Sequence, residues 1–128
     1  MAQRVVVNIV SDAICPWCFV GKRRFEKAVA ALGAAALVTV RWRPFFLDAS
    51  LPPEGVDKLE RYTKKFGAAR VAQMLPMMQK VGAAEGIAFL WRPHRPHAAR
   101  ARARRAGLGA WRRRAAGPPR RGAHQILL

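Results

Sequence analysis

Cysteine is nearly absent from this chain. Cys15 and Cys18 are the only two among 128 residues, which excludes a disulfide-stapled mini-protein. The three histidines, His94, His97 and His124, all lie far along the chain. A zinc site built on the two cysteines would therefore lack its remaining ligands nearby, and no metal is expected. No apolar run approaches the ~20 residues of a membrane-spanning helix. The opening "MAQRVVVNIVSD" lacks the layout of a signal peptide, so a cytoplasmic chain that makes no use of a membrane is expected. In that compartment an isolated cysteine pair points to catalysis or metal binding rather than to a structural bridge.

Acidic residues are also scarce, with 7 against 24 Lys and Arg, for a net charge of +17. The imbalance is local. Residues 1–89 carry 13 basic and 7 acidic residues, whereas residues 90–128 carry 11 arginines with no lysine and no acid. Composition thus breaks near Phe89. The segment 90–128, rich in Arg, Ala, Gly and Pro, reads as a separate tail, and phosphates would bind it electrostatically without sequence preference. A basic nucleic-acid-binding tail is accordingly one alternative function, although specific nucleic-acid binding is not expected.

Apolar residues make up 52% of the chain, enough for one core. Val5–Val10 is almost continuously β-branched, the pattern of a strand buried on both faces of a parallel or mixed sheet. Phe25, Val29 and Leu32 then recur at helical spacing, with Gly33 placed to cap the helix end. "LVTVRWR" alternates as a half-buried strand. Strand, helix and strand over about 4–47 predict a βαβ unit in an α/β fold. A proline-rich connection follows. Two helical patterns come next, one over about 57–66 and one over about 68–81, the second presenting Val71, Met74, Met78 and Val81 on one face. Pro76 should kink or split that second helix. Trp42, Phe45 and Phe46 are expected in the core.

The chemistry concentrates in "SDAICPWCF". Cys15 would stand at or just before the first turn of a helix, where unpaired N–H groups and the dipole favour a thiolate. Pro16 suits the first helical position, and Trp17 with Pro16 would tune the exposure and potential of the pair. Cys18, one turn on, can close a disulfide with Cys15. A strand–CxxC–helix–strand order is the context that makes a bare CxxC a redox hypothesis; two inert buried cysteines remain the bland alternative.

The motif D-x-x-C-P-W-C-F-x-G, from Asp12 to Gly21, and "WRPFFL", from Trp42 to Leu47, resemble the DsbA-like thioredoxin-fold family over about residues 3–89. The similar branch is that of FrnE-type disulfide oxidoreductases and 2-hydroxychromene-2-carboxylate isomerases. The resemblance implies a thioredoxin-like fold with a helical insertion, which would begin at about 54–86. It implies thiol–disulfide oxidoreductase activity with Cys15 attacking and Cys18 resolving, acting on protein or small-molecule thiols and disulfides. No cofactor is implied, though glutathione can serve as co-substrate. The alternative within the resemblance is a glutathione-dependent isomerase or transferase. The family's glycine-rich turn, A-H-x-L helix and facing cis-proline are not found after residue 89. Read one base later, the codons allowed for Leu90–Ala106 permit versions of that turn and helix. The tail from about Leu90 is therefore expected to be frameshifted or disordered, irregular or partly helical, and the fold truncated, with activity of the chain reduced or lost.

Overall fold

The computed structural model describes residues 2–12, 14–52, 55–91 and 124–127. Strand β1 (Gln3–Ser11) pairs in parallel with β2 (Ala36–Pro44), from Gln3 opposite Ala36 to Ser11 opposite Pro44. Between them runs helix α1 (Pro16–Leu32), followed by a single 3-10 turn at Gly33–Ala35. Gly33 ends α1 at φ 52°, a conformation that side chains disfavour, and its N–H donates to the Ala30 carbonyl. This is the expected βαβ unit.

Helix α2 (Lys58–Phe66) is opened by Asp57, whose carboxylate accepts the Glu60 N–H at 2.7 Å, a capping arrangement with an acid in the first turn. Lys64 and Lys65 occupy its last turn, where cations complement the helix dipole. At Gly67, φ 83°, the chain turns directly into α3 (Ala68–Ala84). Pro76 lies inside α3, yet the helix is not split, contrary to the stronger form of the sequence expectation. Strand β3 (Ile87–Leu90) returns along α3 and pairs in parallel with β4 (His124–Leu127). The expected irregular or partly helical tail thus contains a short strand. Its remainder, 92–123, lies outside the described residues, as does any structural trace of a shifted frame.

The core sits between α1, α3 and β3. Val20, Met78, Ile87 and Phe89 are buried against one another, with Phe19, Met74, Val81 and Trp91 packed around them. Gly82 lets α3 approach β3, since a Cβ there would stand 2.6 Å from the Phe89 ring and 2.9 Å from the Ile87 carbonyl oxygen. Glu85, just beyond α3, receives Arg24 at 3.0 Å and Lys27 at 2.7 Å from α1.

Two expectations are corrected. β1 is not buried on both faces: Val5, Val7 and Ile9 are half-buried, while Val6 and Val10 are 53% and 63% exposed. Among the described residues the β1–β2 sheet has two strands, and Val6, Val10 and Leu37 on one side of it are exposed. Phe45 and Phe46 are not core residues either, being 52% and 50% exposed beyond the end of β2; Trp42 is half-buried.

Candidate functional site

Asp12, Ile14 and Cys15 lie between the end of β1 and the start of α1, and their geometry follows from local chemistry. Cys15 is the N-cap, in extended conformation at φ −90° and ψ 115°, and Pro16 takes the first helical position, where a missing N–H costs nothing. The Cys15 N–H donates to the Asp12 carbonyl at 3.2 Å, and the Cys18 N–H donates to the Cys15 carbonyl at 3.1 Å. One helical turn therefore separates the two cysteines. Both thiols are free and half-buried, Pro16 is buried, and Trp17 stands 48% exposed beside them.

The two sulfurs hydrogen-bond each other, so the pair shares one proton after its first ionisation. The Cys18 thiol is lowered from its ordinary 9.0 to about 6, first by the hydrogen bond from Cys15. Burial opposes that shift, while the Ser11 hydroxyl and the Asp12 backbone support it. Ser11 Oγ is buried without a settled hydrogen-bond partner, which leaves its O–H able to turn toward a thiolate. The Cys15 thiol is pushed up, first by its hydrogen bond to Cys18 and then by burial. The backbone N–H groups of Cys18 and Trp17 pull it the other way, without closing a capping bond. Helix placement alone favours a lowered thiol at Cys15; in the folded chain the hydrogen bond within the pair lowers Cys18 and raises Cys15, so the pair as a unit gives up its first proton below the ordinary thiol range.

Three further side chains build the site, and the sequence reading assigned a role to none of them. Asp12 is 2% exposed, and its carboxylate joins two segments, accepting the Ile14 N–H at 3.1 Å and the Leu47 N–H at 2.7 Å. The Phe45 N–H also donates to the Ser11 carbonyl at 3.0 Å. The "WRPFFL" stretch is thereby explained: its backbone beyond β2 is tied to the cysteine-bearing loop. Ser11 stands at the buried end of β1. Lys58, the first residue of α2, is 9% exposed and donates from Nζ to the Ile14 carbonyl at 2.9 Å. Asp12 was visible inside the D-x-x-C motif, but the partners of Asp12 and Lys58 lie 35 and 44 residues away in sequence, beyond the reach of local pattern. Among the described residues no group of three or more His, Cys, Asp or Glu could hold a metal ion, and no helix is long and apolar enough to cross a membrane.

Comparison with known proteins covers this same region. The family model of the DSBA-like thioredoxin domain matches residues 6–123, continuing past Phe89, where the motif resemblance stops. The uncharacterized protein YwbO of Bacillus subtilis (strain 168) is 36% identical over 78 residues, which is 61% of this chain and 36% of that protein. The crystal structure of a probable DsbA oxidoreductase from Streptomyces coelicolor is 37% identical with a TM-score of 0.61, over 69% of this chain and 39% of that one. The chain thus spans under two fifths of the length of either relative.

Proposed function

The chain belongs to the DSBA-like thioredoxin domain family, and from that premise we propose that Cys15 and Cys18 form the dithiol–disulfide centre of a thiol–disulfide oxidoreductase. The observation that carries the reading is the pair of free thiols at the N-terminus of α1, one helical turn apart, with Cys18 lowered to about 6 by the hydrogen bond from Cys15. At neutral pH such a pair holds one thiolate and one thiol, the state from which exchange begins.

The exchange balances as follows. The proton of Cys15 passes to Cys18 across their shared hydrogen bond, and the Cys15 thiolate attacks a substrate disulfide. A Cys15–substrate bond forms, the substrate S–S bond breaks, and the departing sulfur takes the proton that Cys18 had received. Cys18, once more a thiolate, then attacks the Cys15 sulfur and releases the second substrate sulfur, which solvent protonates. The substrate disulfide gains two electrons and two protons, and the protein is left with a Cys15–Cys18 bond. The same steps reversed oxidise a substrate dithiol. Protein or small-molecule thiols are the substrate class, and glutathione is a fitting recycling thiol that needs no dedicated cofactor. Pro16, buried at the first helical position, and Trp17, exposed beside the pair, tune its geometry and access.

Trapping tests the assignment. Cys18→Ala, incubated with a disulfide substrate, should accumulate a mixed disulfide on Cys15 and lose turnover, whereas Cys15→Ala should trap nothing. Trapping in Cys15→Ala alone would reverse the two roles. Full turnover in Cys18→Ala would sink the dithiol mechanism and favour a glutathione-dependent isomerase or transferase.

A further inference from the structure

Lys58 is a buried ammonium that the exchange just described does not use. It stands at the first position of α2, where a helix dipole disfavours a cation, and it is only 9% exposed. Burying an ammonium is costly without compensating partners. Two kinds of partner surround it. Its Nζ donates to the Ile14 carbonyl at 2.9 Å, and it lies over the rings of Tyr62 and Trp91, 5.2 and 5.8 Å from their centroids. The Ile14 carbonyl belongs to the peptide that links Ile14 to Cys15, so the charge is delivered to the peptide entering the N-cap. The opposing charge is also close: the Asp12 carboxylate accepts the N–H of the same Ile14, and its field opposes the Cys18 thiolate. One residue, Ile14, therefore carries an anion on its N–H and a cation on its C=O.

We propose that Lys58 is the positioning cation of the dithiol centre, which holds the Ile14–Cys15 peptide in place and offsets Asp12 so that the cysteine pair keeps its thiolate. The role rests on the dithiol reading of Cys15 and Cys18. Tyr62 from α2 is the titratable group under this ammonium, while Asp12, next after β1, meets the same residue through the Ile14 N–H, and Cys15 carries the N–H of the peptide whose carbonyl Lys58 holds. Trp91 completes its aromatic surroundings. Lys58 acts on the thiolate through the loop peptide it holds, without touching the substrate.

The test follows thiol alkylation rate against pH in the full chain. Wild type should show a reactive thiolate near pH 6 and should form the Cys15–Cys18 disulfide on oxidation. Lys58→Gln keeps a donor for the Ile14 carbonyl but removes the charge. Its alkylation profile should move to higher pH by about one pKa unit, lowering the rate near pH 6 about fivefold. Lys58→Arg, which keeps the charge, should restore most of the rate. An unshifted Lys58→Gln profile overturns the role, as does an Arg variant that behaves like Gln. A second readout needs no substitution. Coupling is reciprocal, so the Lys58 ammonium followed by NMR in wild type should titrate at higher pH in the reduced thiolate form than in the disulfide form. Equal titration in both forms would also overturn the proposal. A wild-type chain with neither low-pH reactivity nor a Cys15–Cys18 disulfide would sink the dithiol reading itself, and the Lys58 role with it.

Discussion

The reduced pair gives up its first proton readily because the surroundings of Cys18 can solvate a thiolate and its neighbour can donate a hydrogen bond. Ser11 is the neutral half of that arrangement: a buried hydroxyl, 4% exposed, with its hydrogen free to turn toward the sulfur. Ser11→Ala should therefore lower the thiolate fraction near pH 6 on the order of threefold, read as a slower alkylation rate. An unchanged profile would remove Ser11 from the site. The lowered thiol also makes the reduced chain's stability depend on pH. Between about 6 and 9.0 the folded Cys18 is deprotonated while the unfolded one is still protonated. The unfolded state binds more protons in that window, so unfolding free energy rises with pH across it and is lost as pH falls through about 6. Above 9.0 the raised Cys15 reverses the slope, because the folded thiol keeps a proton that the unfolded one releases. Urea midpoints of reduced chain at about pH 5 and about pH 8 should differ in that direction. The disulfide form, which has no thiol to titrate, should show no such difference from this pair.

At the scale of elements, what local pattern could predict is what local physics decides. The N-cap at Cys15, the stop at Gly33 and the starts of α2 and α3 follow from caps, prolines, glycines and apolar spacing within a few residues. The contacts that make the site were not legible, because each joins distant segments: Asp12 to Leu47, and Lys58 to Ile14. Phe45 and Phe46 misled for a related reason. Aromatic content suggests a core, but here the chain directs the backbone of 45–47 toward the cysteine loop and leaves those rings outward. The core lies instead where α3 meets β3, and Gly82 is its closest point of approach. Gly82→Ala should lower unfolding free energy by about 1–2 kcal/mol, since overpacking outweighs the helix propensity that alanine brings. A variant as stable as wild type in urea would show that the Phe89 ring moves aside freely. Met78→Ala, at the centre of the same cluster, should cost about 2–5 kcal/mol.

For the molecule as a whole, the decisive quantity is how much sheet surface its described layers cover. Parallel sheets are ordinarily buried on both faces, yet β1 and β2 stand as a pair with Val6, Val10 and Leu37 between 53% and 63% exposed. Among the described residues each strand also presents one unpaired edge, a template for another chain. The relatives are more than twice as long as the region matched here. The excess of positive charge works the other way, keeping copies apart at low salt and attracting polyanions. Self-association of this chain should accordingly increase as salt screens that repulsion. Val10→Thr keeps a β-branched residue in the strand while making its exposed side polar. It should reduce dye binding to apolar surface and shift sedimentation at high salt toward monomer, and the thiol titration should stay as in wild type. If the variant self-associates as strongly as wild type, the exposed face of β1 is not the adhesive surface. If its thiol titration moves as well, the strand face and the cysteine loop are coupled through Ser11, the next residue along β1.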